Sequence, residues 1–100
     1  MDKVHRITYL YRDAGNYKFW GSFCVSGNLM LADLRPYLFD EEFFVPERIG
    51  LPSLVPSKKN NDDHLLHEFD GIEEIQPMRC LLTANELMKR VHAANTAGWL

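Results

Sequence analysis

The stretch Val4-His5-Arg6-Ile7-Thr8-Tyr9-Leu10-Tyr11-Arg12, Asp13-Ala14-Gly15-Asn16, Tyr17-Lys18-Phe19-Trp20-Gly21-Ser22-Phe23-Cys24-Val25 decides the fold. Its first arm alternates: Ile7, Tyr9 and Tyr11 fall on one face of a strand, and Arg6, Thr8, Leu10 and Arg12 on the other. Its second arm resumes the alternation, with Tyr17, Phe19, Phe23 and Val25 against Lys18, Trp20, Ser22 and Cys24. Between them lie four residues of turn chemistry, in which Gly15 or Asn16 can take a positive φ. Aromatic-rich arms joined by such a turn predict an antiparallel β-hairpin with one face committed to a core.

Working outward, Gly27 and Asn28 break the alternation. Leu31, Leu34 and Leu38 then recur at helical spacing and predict a short helix within residues 29–38, covering one face of the hairpin. Pro36 would remove a backbone hydrogen bond and crowd the carbonyl of Ala32, so this helix is short, kinked or broken near Arg35. Phe43, Phe44 and Val45 suit a short third strand that Pro46 ends. Residues 46–63 hold no sustained period, only the punctuation of Gly50, Pro52, Ser53, Pro56, Ser57, Asn60 and Asn61. Ile49, Leu51, Leu54 and Val55 are expected to pin the first half of this long loop to the body, with residues 57–61 its most mobile part.

Residues 64–69 read as a strand, and residues 72–75 as its continuation or as a partner after Asp70-Gly71. The last element is a helix over about residues 83–95. Thr83 with Glu86 makes a capping box, and Leu82 can staple Leu87 across it. Leu87, Met88, Val91 and Ala94 form an apolar stripe, while Lys89, Arg90 and His92 sit toward the end where the helix dipole favours cations. Trp99, in the tail, is placed to dock on the core. The expected fold is a single α+β domain over residues 1–100: an N-terminal antiparallel hairpin extended by one or two short strands, a short helix after the hairpin, and a C-terminal helix packed on the sheet.

Hydrophobic residues at 46% and charged residues at 25% fit a globular chain rather than a disordered or fibrous one, and one hundred residues can bury one core. Residues 1–12 carry Asp2, Lys3, Arg6 and Arg12 and lack the apolar run of a signal peptide. No stretch reaches the roughly 18 apolar residues of a membrane span. The expected location is the cytoplasm. In that reducing compartment Cys24 and Cys80 read as two small buried hydrophobes rather than a disulfide. The net charge of −3 conceals an acidic middle: residues 37–76 hold ten acids against three bases, and the flanking segments are each positive. That distribution argues against direct nucleic-acid binding, which needs a basic face for phosphates.

Three blocks together resemble a group of small, single-domain bacterial proteins of uncharacterised function. They are Arg12-Asp13-Ala14 with Asn16-Tyr17-Lys18, Phe43-Phe44-Val45-Pro46-Glu47 with Gly50-Leu51-Pro52, and Asp62-Asp63-His64 with His67-Glu68. Written as RDAxNYK, FFxPExxGLP and DDHxxHE, they carry a resemblance that covers roughly residues 6–76. Leu66 is a departure, since the group tends to carry Trp there. The resemblance implies a bacterial cytoplasmic protein and brings no mechanism with it.

Ligands, acids and bases cluster in residues 62–68. His64 and His67 stand three apart, and Asp62, Asp63 and Glu68 offer oxygen ligands for a divalent metal. On a helix His64, His67 and Glu68 would share a face. On a strand His64 and Glu68 point one way while Asp63 and His67 point the other, and one site would then need Glu47 or His5 from elsewhere. The metal reading therefore rests on Asp63, His64, His67 and Glu68. Against it stands a His67 that is partly buried and hydrogen-bonded, while Asp62 and Asp63 close the loop.

Three functional readings follow. The first, and the one the sequence favours, is a small cytoplasmic protein-binding or accessory protein without enzymatic activity. Its surface would be the long loop, with Glu47, Arg48, Leu51, Asp62 and Asp63 as contacts and Phe43 and Phe44 as further anchors or core residues. Homodimerisation through a hairpin edge is a variant of it. The second is a metal-binding protein or metal-dependent hydrolase built on residues 62–68. The third is an acidic inhibitor or adaptor of a basic partner, of phage type. No nucleophile elbow, phosphate-cradling glycine loop or Walker sequence is present.

Overall fold

β1 (Val4–Arg12) and β2 (Lys18–Ser26) form an antiparallel hairpin, in register from Val4 opposite Ser26 to Arg12 opposite Lys18. They open a computed structural model that describes residues 3–13, 15–56 and 65–100. Asp13 organises the turn: its N–H donates to the Tyr17 carbonyl, its carbonyl accepts from Asn16 N–H, and its Oδ1 accepts from Tyr17 N–H at 2.9 Å. Asn16 takes the positive φ, at 65°. Tyr17 was expected on the inward face; it instead precedes β2 and is 72% exposed, because the turn chemistry extends one residue further than the alternation implied.

After the hairpin come α1 (Leu31–Leu34), a 3-10 turn (Arg35–Tyr37), β3 (Phe43–Phe44) and a second 3-10 turn (Pro46–Ile49). The chain then forms β4 (His67–Ile75), β5 (Leu82–Thr83) and α2 (Ala84–Ala97). The change from α to 3-10 winding falls at Arg35, where Pro36 cannot donate the helical hydrogen bond. The sheet order is β3-β4-β1-β2-β5, antiparallel except for the two-residue parallel pairing of β5 with β2. The fold is thus α+β, with a short helix after the hairpin and a C-terminal helix against the sheet.

Residues 67–75 form one strand, and its irregularity has a physical cause. Thr8 pairs with Gly71 and Tyr9 with Phe69, so Asp70 is an extra residue bulged out of the ladder. A bulge shifts the phase of alternation by one. His67 and Phe69 therefore share a face with Ile72 rather than with Gly71, opposite Tyr11, Tyr9 and Ile7 respectively. This inward face packs with Leu29, Leu34, Leu87 and Val91 from the helices into the core, where Phe44 stacks on Phe69 with ring centroids 4.0 Å apart. On the other face Arg6 pairs with Glu73 and Arg12 with Glu68. Leu10, placed by alternation among the polar positions, is nevertheless buried; it stands between Trp20 and Glu68 in register.

Thr83 Oγ1 accepts from Glu86 N–H at 3.0 Å, and Leu82 and Leu87 are both buried in the core. The carboxylate of Glu86 also accepts from Arg90 Nε at 3.3 Å. α2 runs to Ala97, two residues past the expected end, and stops at Gly98 with φ 94°. Trp99 docks on the core, 3% exposed, its Nε1–H donating to the Tyr37 carbonyl at 2.8 Å. Between β3 and the preceding 3-10 turn, Phe39 and Phe43 form an antiparallel bridge closed over Asp40 and Glu41, both left-handed at φ 54° and 58°. These are type I′ hairpin conformations, usually supplied by Asn and Gly.

The cysteines are not two buried thiols. Cys24 and Cys80 form a disulfide, with Cα atoms 5.7 Å apart. Cys24 lies on the sheet face opposite the core and Cys80 on the segment crossing from β4 to β5. Neither is in the core cluster, so the burial expected of them is only partial. Among the described residues no helix is long and apolar enough to cross a membrane.

Candidate functional site

The segment of residues 46–56 crosses the inner side of the sheet as a strap. It begins at Pro46, which fixes φ for the 3-10 turn and buries itself with Ile49, while Glu47 and Arg48 between them are exposed. Gly50 ends the turn in the left-handed conformation at φ 76°, with its N–H bonded back to the Glu47 carbonyl. Beyond it the strap has no strand partner among the described residues, yet it is fixed at three points by side chains from three different elements.

Arg90 of α2 makes the first clasp, its guanidinium donating to the Ile49 carbonyl at 3.1 Å. Tyr9 of β1 makes the second, its hydroxyl donating to the Pro52 carbonyl at 2.7 Å. Burial pushes the Tyr9 phenol above its ordinary pKa, because a phenolate there would lose its hydration. His67 of β4 makes the third. It is fully buried, and its Nε2 accepts from Leu54 N–H at 3.1 Å while Nδ1 lies 2.9 Å from the Leu65 carbonyl. A carbonyl can only accept and a backbone N–H can only donate. His67 is therefore the neutral tautomer with its proton on Nδ1. Apolar contacts complete the fixation: Leu51 and Leu54 pack on the core, and Leu54 covers Gly21, where a Cβ would come within 2.9 Å of its Cδ2.

The same geometry divides the metal candidates. His67 pairs with Tyr11 and Phe44, whereas Glu68 pairs with Leu10 and Phe43, so the two side chains leave the strand on opposite faces. His67 sits among Tyr9, Tyr11 and Phe44, with its ring centroid 5.0 Å from that of Tyr11. Both ring nitrogens face backbone groups. Glu68 is 3.6 Å from Arg12. His5 lies six positions from Tyr11 along β1, about 20 Å at strand rise, and its Nδ1 is 3.0 Å from the Gly27 carbonyl. The structure thus separates His67, Glu68 and His5. Among the described residues no three of His, Cys, Asp and Glu converge as a metal-holding group. Asp62, Asp63 and His64, and with them part of the proposed metal set and of the protein-binding set, lie outside the described residues.

Of the other binding candidates, Glu47 and Arg48 are exposed side by side on the strap, and Leu51 is half-buried beneath it. Phe44 is fully buried and belongs to the core; Phe43 is half-buried. Acidic groups do gather elsewhere: Asp40, Glu41, Glu42 and Glu68 line a surface cavity of about 380 Å³ together with Arg35. Tyr9 and Arg90 escaped sequence reasoning as site residues. Each appears there as an ordinary core aromatic or helix-end cation, and the strap carbonyls they hold are 43 and 41 residues away. No family model matches the chain, and no curated protein or solved structure matches it.

Proposed function

We propose that this chain is a small bacterial, cytoplasmic protein-binding or accessory protein without enzymatic activity, and that the strap is its recognition surface. The observation that carries the reading is the triple clasp. Three polar side chains on three elements are committed to fixing the path of a segment with no strand partner among the described residues, whose outward residues Glu47, Arg48, Pro52 and Ser53 are left exposed. Recognition by loops depends on a scaffold that holds them in one shape, because ordering a mobile loop on binding costs affinity. Adjacent opposite charges at Glu47 and Arg48 supply direction, and the acidic character of residues 37–76 favours a partner with a basic surface.

Capture from bacterial lysate by the wild-type chain and by the Arg48→Ala, Asp63→Ala double variant tests the reading. A protein retained by the former and lost by the latter, with both chains equally folded, is the expected outcome. Identical partner profiles would count against this surface. Against the metal-dependent alternative, both ring nitrogens of His67 face backbone groups.

A further inference from the structure

The crossing from β4 to β5 is held unlike any other part of the fold. Gln76, Pro77, Met78, Arg79 and Leu81 are all exposed, and Leu81 fully so. Among the described residues, residues 76–80 make no backbone hydrogen bond to the rest of the chain. The crossing ends in β5, whose pairing with β2 is two residues long, and only Leu82 is buried there. What ties the crossing to the sheet is the Cys24–Cys80 disulfide. Neither cysteine belongs to the core cluster, and α2 carries its own anchors in Leu87, Val91 and Ala94.

The setting also suits thiol exchange. Both cysteines are partly exposed, and Cys24 lines a cleft of about 420 Å³ with Phe23, Leu51 and Arg90 on the body and Arg79 and Leu81 on the crossing. Of the two guanidinium groups that line it, Arg90 is paired with Glu86, and Arg79 is the chain neighbour of Cys80. Cationic surroundings and partial exposure favour thiolate chemistry at a cysteine pair, whereas an inert structural cysteine is enclosed by apolar groups. In a reducing compartment, disulfides are typically transient ones that open and close.

We propose that Cys24–Cys80 is a reversible redox latch: oxidised, it holds residues 76–81 against β2; reduced, it releases them and widens the cleft while the core stays folded. Opening requires a cellular dithiol. Its thiolate attacks Cys80 Sγ, a mixed disulfide forms as the Cys24–Cys80 bond breaks, and Cys24 leaves as a thiolate that takes up a proton. The second thiol of the reductant then displaces Cys80, closing the reductant's own disulfide. Two electrons and two protons pass to the pair. Closing is the reverse exchange, with glutathione disulfide as oxidant and two molecules of glutathione released.

The test is tryptic cleavage after Arg79, with the hydrogen exchange of β1 and α2 followed by mass spectrometry, on the whole chain oxidised, reduced with a phosphine, and reoxidised with glutathione disulfide. Cys80→Ser serves as the permanently open form, and Cys24→Ser as its counterpart. Reduction is expected to accelerate cleavage after Arg79 at least about tenfold, with β1 and α2 keeping their protection, and reoxidation to restore the slow rate. The two variants should match the reduced protein and ignore reductant. Three results would overturn the proposal: an unchanged rate of cleavage after Arg79 on reduction, loss of protection throughout the chain, or failure of the two thiols to pair under glutathione disulfide. Each is read on the wild type alone, whatever the folding of the variants, and none depends on a binding partner.

Discussion

The buried imidazole of His67 accepts the backbone N–H of Leu54 through Nε2 at 3.1 Å. Thirteen residues separate the two, and the contact joins the central part of the sheet to a segment that pairs with no strand among the described residues. It makes His67 a structural clasp with a defined tautomer, and it satisfies a ring nitrogen of a fully buried histidine.

Replacing His67 should therefore be costly in a way that shape alone cannot repair. His67→Phe keeps an aromatic ring between Tyr11 and Phe44 but leaves the Leu54 N–H and the Leu65 carbonyl without their partner. Each unsatisfied buried group costs about 1–3 kcal/mol, so a total loss of about 2–6 kcal/mol is expected in urea unfolding. A loss under about 0.5 kcal/mol would mean that the two backbone groups find other partners.

Tyr9→Phe removes the hydroxyl that donates to Pro52 and should cost about 1 kcal/mol near neutral pH. The pH dependence has a fixed sign. Burial raises the folded-state pKa of Tyr9 above its unfolded value, so its contribution is fully present below about pH 10 and is lost as pH rises through the folded pKa. The stability gap between wild type and Tyr9→Phe should accordingly be flat up to about pH 10 and shrink above it. A gap that widens with alkalinity would contradict the burial of this phenol.

At Gly50 two effects coincide. The φ of 76° disfavours any side chain, and a Cβ would lie 2.7 Å from a guanidinium nitrogen of Arg90. Gly50→Ala should cost about 1–2 kcal/mol from the left-handed backbone, and more if Arg90 must release Ile49. A double-mutant cycle separates the parts. In an Arg90→Ala background the Gly50→Ala penalty should fall toward the backbone value, and strict additivity would show that the side chain yields freely.

Glu41 holds a left-handed conformation at φ 58°, next to Asp40 at φ 54°, in a cavity already lined by Glu42 and Glu68. Asp tolerates this conformation better than Glu does. Glu41→Gly should raise stability by about 1 kcal/mol, relieving both the backbone and the like-charge crowding. Thermal unfolding at low salt is the appropriate measurement, and a lowered midpoint would indicate that Glu41 makes a favourable contact that outweighs its backbone cost.

Local patterns in the chain were legible where the structure is local. The alternation of Ile7, Tyr9 and Tyr11, the Thr83 cap and the break at Pro36 each depend on neighbours within a few residues. The inward set His67, Phe69 and Ile72 was harder to read, because the bulge at Asp70 turns a spacing of two into a spacing of three. The clasps were invisible for a different reason: nothing near Tyr9 or Arg90 signals a carbonyl some forty residues away. The disulfide ran against an expectation drawn from compartment rather than geometry, and two cysteines 56 residues apart carry no spacing signal. The two-residue β5 is too short to show a period.

The most direct measurement of the clasped strap is native-state hydrogen exchange of the Leu54 amide by nuclear magnetic resonance. If His67 holds it, this amide should exchange far more slowly than an unstructured peptide, with a protection approaching that of amides in β1, and should lose that protection in His67→Phe. Exchange at the free-peptide rate in the wild-type protein would contradict a strap fixed in one shape.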